Sequence, residues 1–447
     1  MNPRRFDAFT LLLCGLMIGS SVRLCDAHTA YVPAQFSTIQ PALDASTSGD
    51  TVLVAAGTYS GAGDSDLRFR DKDLVLLSES GAASTTIDLG GTQVSALVLR
   101  ANETRAAVLD GFTVCNGATN AIICDGSAAP TIRNCIIRDN EAHQTGPICP
   151  GGIMVLDYGA PLITGCDFER NTGDSGGAIG IAEDARPEIL DCTFRENNAW
   201  LGGGIYCTDD CLPVIRNCLF SGNGFYSGGA IQSFSSHTVE VSDCEISRNW
   251  GSGIGGGSMH IVGCTITRNG EDTYGGGGLE GGPFRVERSI IWGNCGPRGS
   301  DIYADGRVQL TCCAWSDSGV FVASHGQLVV TGPQVKTDPR FCAPLPCPTG
   351  PHQDPGGDYT LRSDSPCLAQ FSPCQEQIGD YGVGCAAPAP VGACCLDNAF
   401  TCALATQADC ASKLGRYLGD GSSCYPDPCA PTAVKVTTWG QIKNMYK

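Results

Sequence analysis

Lysine is missing from the middle of this chain: none lies between Lys72 and Lys336. A lysine acting as a proton-abstracting base is therefore excluded over that whole stretch. Charge of either sign is thin, at 17% of residues, and leans acidic, to a net −18. Sequence-independent nucleic-acid binding rests on Lys and Arg at phosphates, so that class is excluded. The acidity favours solubility and repels polyanions. Beyond Ile18 no apolar run approaches the roughly 20 residues that cross a bilayer, so no transmembrane segment is expected in the mature chain. Cys-x-x-Cys occurs nowhere, which removes the usual spacing of a structural zinc site.

Cysteine itself is abundant, at 27 residues. Cytosolic thiols are kept reduced, so this density points to an oxidising compartment. The N-terminus agrees. Arg4 and Arg5 precede the apolar run Phe9 to Ile18, and Gly19, Ser20 and Ser21 follow. That is the order of a secretory signal, with cleavage after Ala27 or Ala30. The mature chain is expected outside the cell or at its surface.

One unit recurs. Asn134-Cys135-Ile-Ile-Arg-Asp-Asn140 returns at Gly165–Asn171, Asp191–Asn197, Asn217–Asn223, Asp243–Asn249 and Gly263–Asn269, and Arg288–Asn294 closes the series with Ser289 for cysteine. Cysteine and the residue two further on (Ile137, Phe168, Phe194, Phe220) are both apolar, so that face of a strand points inward. Asn, Gly or Asp before the cysteine tolerates a left-handed backbone, which marks a tight corner. Pro-x-Ile precedes it, as at Pro161/Ile163. Ile to Cys is an odd step that would flip faces, and the corner absorbs the flip. The Asn five residues after cysteine reads as a second corner, with side chains bonding along a stack. Gly-Gly-x-Ile then gives a third strand. Coils of about 20–31 residues, each with three short strands, stack in parallel register about 4.8 Å apart. A leucine-rich horseshoe would need a helix-forming arc in every repeat, and a propeller would need longer units.

These coils resemble those of pectin-lyase-like right-handed parallel β-helix proteins. Ser37-Thr38-Ile39-Gln40-Pro41-Ala42-Leu43-Asp44-Ala45, Gly49-Asp50-Thr51-Val52-Leu53-Val54 and Gly57-Thr58-Tyr59 are similar to that family's opening signature. There it forms a cap helix and first strand, which cover apolar interior and unpaired strand edges. The resemblance spans roughly residues 31–335 and implies an all-β fold, but it leaves activity open, since the fold carries many functions. Asp338-Pro339-Arg340-Phe341 and Asp358-Tyr359-Thr360-Leu361 resemble a closing segment found after such helices in bacterial exported proteins, expected to cover the last coil.

The expected organisation is a signal peptide at 1–27, a cap at 28–60, the β-helix at 61–335 and the closing segment at 336–385. A stiff linker at 386–390, a Cys-rich module at 391–429 and a tail at 430–447 follow. Cys394, Cys395, Cys402, Cys410, Cys424 and Cys429 read as a disulfide framework whose pairing the sequence leaves open. Cys207 and Cys211 form the best bridge candidate within the helix, with Cys124 and Cys149 a second. Cys135, Cys166, Cys192, Cys218, Cys244 and Cys264 share one coil position and are expected as a reduced interior stack, because a 4.8 Å repeat exceeds the reach of a disulfide.

Polysaccharide lyases of the resembling family use a Lys or Arg base, often beside calcium. With lysine absent, Arg170, Arg195, Arg248 and Arg268 are the catalytic candidates. They alternate with acids, so an exposed, self-neutralising stripe is the competing reading. Calcium, the one cofactor considered, has candidate ligands in Asp209, Asp210, Glu271 and Asp272, with Glu183 and Asp184 beside them; solvated loop acids read the same way. The family's hydrolase pattern of paired acids is not matched. Trp200, Tyr226, Trp250 and Tyr274 fall in one loop of four consecutive coils. Stacked, they would make an aromatic strip suited to sugar faces, or would shield the Gly-rich strands. The reading is a non-catalytic, exported β-helix protein binding a polysaccharide or cell-surface glycan, or serving as a structural element. The alternative is a lyase or hydrolase acting on acidic polysaccharide.

Overall fold

The computed structural model describes residues 27–100, 102–143, 148–224, 229–270, 276–297, 299–350, 356–389, 391–396, 401–413 and 415–424. The signal-peptide segment as far as Asp26 and the tail from 430 lie outside them.

The chain winds as a right-handed parallel solenoid. The first strand of each coil joins a 13-stranded sheet running from Thr29–Val32 to Gln327–Thr331, sheet 1. The second joins an 11-stranded sheet from Gly57–Ser60 to Ala314–Trp315, sheet 2. The third joins another 11-stranded sheet from Leu67–Arg68 to Val320–Val322, sheet 3. The helix Ile39–Ala45 caps the start, with Ile39, Ala42 and Leu43 buried.

Each corner has a residue-level cause. Between sheets 1 and 2, Asn134, Gly165, Asp191, Asn217, Asp243, Gly263 and Arg288 take φ from 46° to 65°. Between sheets 2 and 3 the left-handed residue is the one before the recurrent Asn, not the Asn itself. Asp139, Arg170, Glu196, Gly222, Arg248, Arg268 and Gly293 take φ from 50° to 67°. The turn they make swings the next side chain inward. Asn140, Asn171, Asn197, Asn223, Asn249 and Asn269 are wholly buried. From Asn171 onward each Oδ1 accepts from the backbone N–H and Nδ2 of the Asn one coil earlier, as Asn197 does from Asn171 at 3.0 Å for both, while the Asn140 Oδ1 opens the ladder by accepting from the Gly117 N–H at 2.9 Å. Gly-Gly-x-Ile follows because the coils then approach closely: a Cβ at Gly177 would lie 2.4 Å from the Gly203 carbonyl.

The interior is a set of ladders with period one coil. Ile163, Ile189 and Ile215, the cysteines from Cys135 to Cys264, and Phe168, Phe194 and Phe220 are at most 2% exposed. The ladder cysteines are free thiols. Cys124 is also a free, buried thiol, so the Cys124–Cys149 bridge considered from the sequence does not form. Cys207 and Cys211 are bridged.

The closing segment reaches further than the last coil. After a small sheet of Phe341–Ala343, Asp358–Arg362 and Val383–Cys385, it lies back along the outer face of sheet 2. Cys295–Cys347 and Cys312–Cys374 tie it there. Asp380 donates its N–H to Thr265 at 3.1 Å, and Gly379 to the Arg288 carbonyl at 2.7 Å. Outward residues of sheet 2 that would otherwise face water, Glu245, Ser247, Thr265 and Thr267, are at most 7% exposed beneath it. In the Cys-rich module Val391–Leu396 pairs with Thr401–Thr406 and Arg416–Tyr417, held by Cys394–Cys410 and Cys402–Cys424. Cys395 is also disulfide-bonded, and Cys429 lies outside the described residues.

The Asn ladder ends on an acid. Asn294 donates its N–H and Nδ2 to Asp301 at 2.9 and 3.0 Å. Burial pushes the Asp301 carboxyl up to about 6, against the hydrogen bonds from Asn294 that lower it. A folded-state pKa above the unfolded value of about 3.9 means the contribution is full below about pH 4 and is lost as pH rises through 6. Burial shifts Asp380 the same way, to about 6. Asp301→Asn keeps the acceptor without the charge. It is expected to stabilise the chain by roughly 2 kcal/mol at pH 7 and to flatten part of the fall in urea midpoint between pH 4 and 7. An unchanged pH slope in the variant would refute this role.

Candidate functional site: an aromatic-walled groove on sheet 3

Three of the four arginine candidates occupy structural positions. Arg170, Arg248 and Arg268 are the left-handed corner residues themselves. Arg170 is paired with Asp139 at 2.8 Å and Glu169 at 3.4 Å; the Asp139 contact raises its pKa further. Arg248 is 4% exposed and donates to the Pro346 carbonyl of the closing segment. Arg268 is half-buried and donates to the Gly293 carbonyl at 3.3 Å. Arg195 alone of the other coils' candidates shares no such corner, and it is exposed on sheet 2.

The acid pairs have a conformational reason. Asp157-Tyr158, Glu183-Asp184 and Asp209-Asp210 occupy equivalent turns between sheets 3 and 1, each with two successive left-handed residues. A turn with φ positive at both central residues favours Asp and Asn. The Cys207–Cys211 bridge closes the third of these turns, and Ser236 donates to Asp210. Glu271 and Asp272 lie outside the described residues. Among the described residues no three His, Cys, Asp or Glu side chains converge as a metal site.

Of the aromatic strip, Trp200 is 52% exposed and Trp250 is half-buried. Tyr226 and Tyr274 lie outside the described residues. Trp200 and Trp250 are two coils apart, about 10 Å along the stack.

A better-formed site lies on the outer face of sheet 3. The register Tyr206–Gln232–Gly255–Glu280–Tyr303–Phe321 puts one residue per coil in a row on that face. Over the earlier coils the face is covered, since Ile148 packs with Tyr206, Met154 and Leu201. Beyond Tyr206 it opens into a groove of about 460 Å³. Gly255, Gly256, Gly281 and Gly282 floor it, and Gln232, Ser252, Glu280 and Asp305 line it. Aromatic pairs stand at both ends. Tyr206 meets Phe234 edge-on at 6.1 Å, and Tyr303 stacks on Phe321 at 5.3 Å. Phe234 and Phe321 are 52% and 43% exposed. Burial raises the Tyr206 phenol above its ordinary value.

The family description "Right handed beta helix region" matches residues 92–229 and 200–335, more than half of the chain. The chain belongs to this right-handed β-helix family. Searches of the curated proteins and of the solved structures found no match.

Within this β-helix the groove residues were missed from sequence because they vary from coil to coil. The signal was present all the same: aligning the coils on the Ile of Gly-Gly-x-Ile (Ile205, Ile231 and Ile254, the last preceded by Gly251-Ser252-Gly253) and reading the next residue gives Tyr206, Gln232 and Gly255 in order. A second depression, about 380 Å³ on the outer face of sheet 1, is lined by Glu240, His260, Arg285 and Arg307. His260 pairs with Glu240 at 2.9 Å there.

Proposed function

We propose that this is an exported β-helix protein that binds glycan at the cell surface or in its surroundings and does not cleave it. The β-helix fold fits a surface or glycan-related role, and the six bridges with both ends among the described residues fit an oxidising environment. The observation that carries the reading is the groove on sheet 3. Flat rings with exposed faces and several polar acceptors are the groups that hold sugars. Trp200 and Trp250 supply further ring surface on the neighbouring corner. Catalysis by an arginine base is disfavoured at Arg170, Arg248 and Arg268, whose guanidinium groups serve acids or carbonyls of the fold.

Arg195, exposed on sheet 2, is where the lyase alternative is best tested. Ultraviolet assays on several polyuronates, with and without calcium, are expected to give no unsaturated product. Product that disappears in Arg195→Ala would overturn the non-catalytic reading.

A further inference from the structure

The groove's chemistry narrows the ligand. We infer that it takes a neutral glycan, laid along the solenoid axis between the two aromatic pairs; this rests on the glycan-binding reading.

Length and direction come from the register. Gln232 and Tyr303 are three coils apart, about 14 Å along the stack, and the groove runs across the coils. A short extended oligosaccharide spans that distance, with rings available to stack at each end. The floor offers no strand edge. Gly257 donates to the Ser233 carbonyl at 2.7 Å, Gly282 to Gly256 at 3.0 Å and Gly306 to Gly281 at 3.0 Å. With these backbone groups committed to the solenoid, an added peptide strand has nothing to pair with. Recognition falls to ring faces and side chains.

Those side chains are acceptors. The Gln232 Oε1 is buried without a hydrogen-bond partner, a costly state that a donated hydroxyl relieves. Glu280 and Asp305 bring carboxylates to the same groove. Sugar hydroxyls donate to such groups, whereas a uronate brings its own negative charge against them and against the net −18 of the chain. Charge therefore selects neutral sugars.

Gly255 supplies the test. It holds the row position at the centre of the floor with no left-handed backbone requirement. A Cβ there would meet first the Ser252 hydroxyl, at 2.9 Å, which can rotate. Gly255→Leu therefore fills the groove with little disturbance of the coil, checked by circular dichroism. Calorimetric titrations would use cellohexaose, xylohexaose, chitohexaose, hexagalacturonate with and without calcium, and hexalysine. The expected result is binding of at least one neutral hexamer, weakened tenfold or more by Gly255→Leu and by Tyr303→Ala, with no binding of hexagalacturonate. Hexagalacturonate binding lost in both variants would overturn the neutral class while leaving glycan binding standing. Neutral binding that survives Gly255→Leu but is lost in Trp200→Ala would overturn the groove. Hexalysine binding lost in Gly255→Leu, with no sugar bound, would make the groove a cationic-peptide site. Silence with every ligand would sink the inference and the glycan reading together.

Discussion

Asn197→Ala is expected to destabilise the solenoid by about 4 kcal/mol, although it removes only a small polar side chain. Asn197 is wholly buried. Its Oδ1 accepts from the N–H and Nδ2 of Asn171, both at 3.0 Å. Its Nδ2 donates to the Phe168 carbonyl and to Asn223 Oδ1, both at 2.9 Å. Truncation strands the Asn171 N–H and one Asn171 amide hydrogen in a dry interior, and takes one of two donors from the Phe168 carbonyl, which keeps its place in the parallel ladder with the strand Thr193–Arg195. Each stranded group costs about 1–3 kcal/mol. Asn223 is spared, because it keeps the Asn197 backbone N–H at 3.0 Å. The neighbouring Asn198 is the control, since its Oδ1 has no partner; Asn198→Ala should cost under about 1 kcal/mol. Urea unfolding of the two variants separates them. Equal midpoints would mean the ladder is incidental to stability.

Phe194→Ala should cost about as much, roughly 4 kcal/mol, for a different reason. Phe194 stacks between Phe168 and Phe220, with ring centroids 4.8 and 4.4 Å away and planes within 4° of parallel. The separation follows from the solenoid, because identical side chains at one register position repeat at the strand spacing. Deleting the central ring leaves a cavity that backbone on both sides holds open, so little collapse can refill it. Two ring contacts are lost as well. Phe194→Leu, which restores much of the volume, should cost less than half as much. Phe371, 54% exposed, should tolerate Ala with a change under about 0.5 kcal/mol. A Phe194→Ala variant as stable as Phe371→Ala would contradict the ladder account.

The coil was legible because its residues repeat for structural reasons. Proline, the corner before cysteine and the inward Cys-x-Phe pair each carry their backbone preference in their type. The second corner was placed one residue late. Asn is a favoured left-handed residue and Arg and Glu are not, so local preference pointed to Asn140 and its equivalents. The gain from bonding Asn to Asn across coils outweighs that preference and puts the strain on Arg170, Glu196 and Arg248 instead. At Asp209-Asp210 the same residue types fit two readings, a cation ligand pair and a solvated turn, and the backbone there is a two-residue left-handed turn. The groove was not legible because it depends on where a face stays uncovered. Tyr206 and Tyr303 sit in the same row, yet Ile148 packs beside one and the other remains open. Likewise Thr265 and Thr267 read as surface strand residues, and only the return of residues 336–385 buries them. Contacts between segments far apart in sequence decide both cases.

A glycan array probed with the wild-type chain and with Phe234→Ala plus Tyr303→Ala tests glycan binding most directly. The account predicts signals on neutral glycans that the double variant loses while its far-ultraviolet spectrum is unchanged. A wild-type chain that binds no glycan on the array, or a double variant that binds as strongly as wild type, would contradict it.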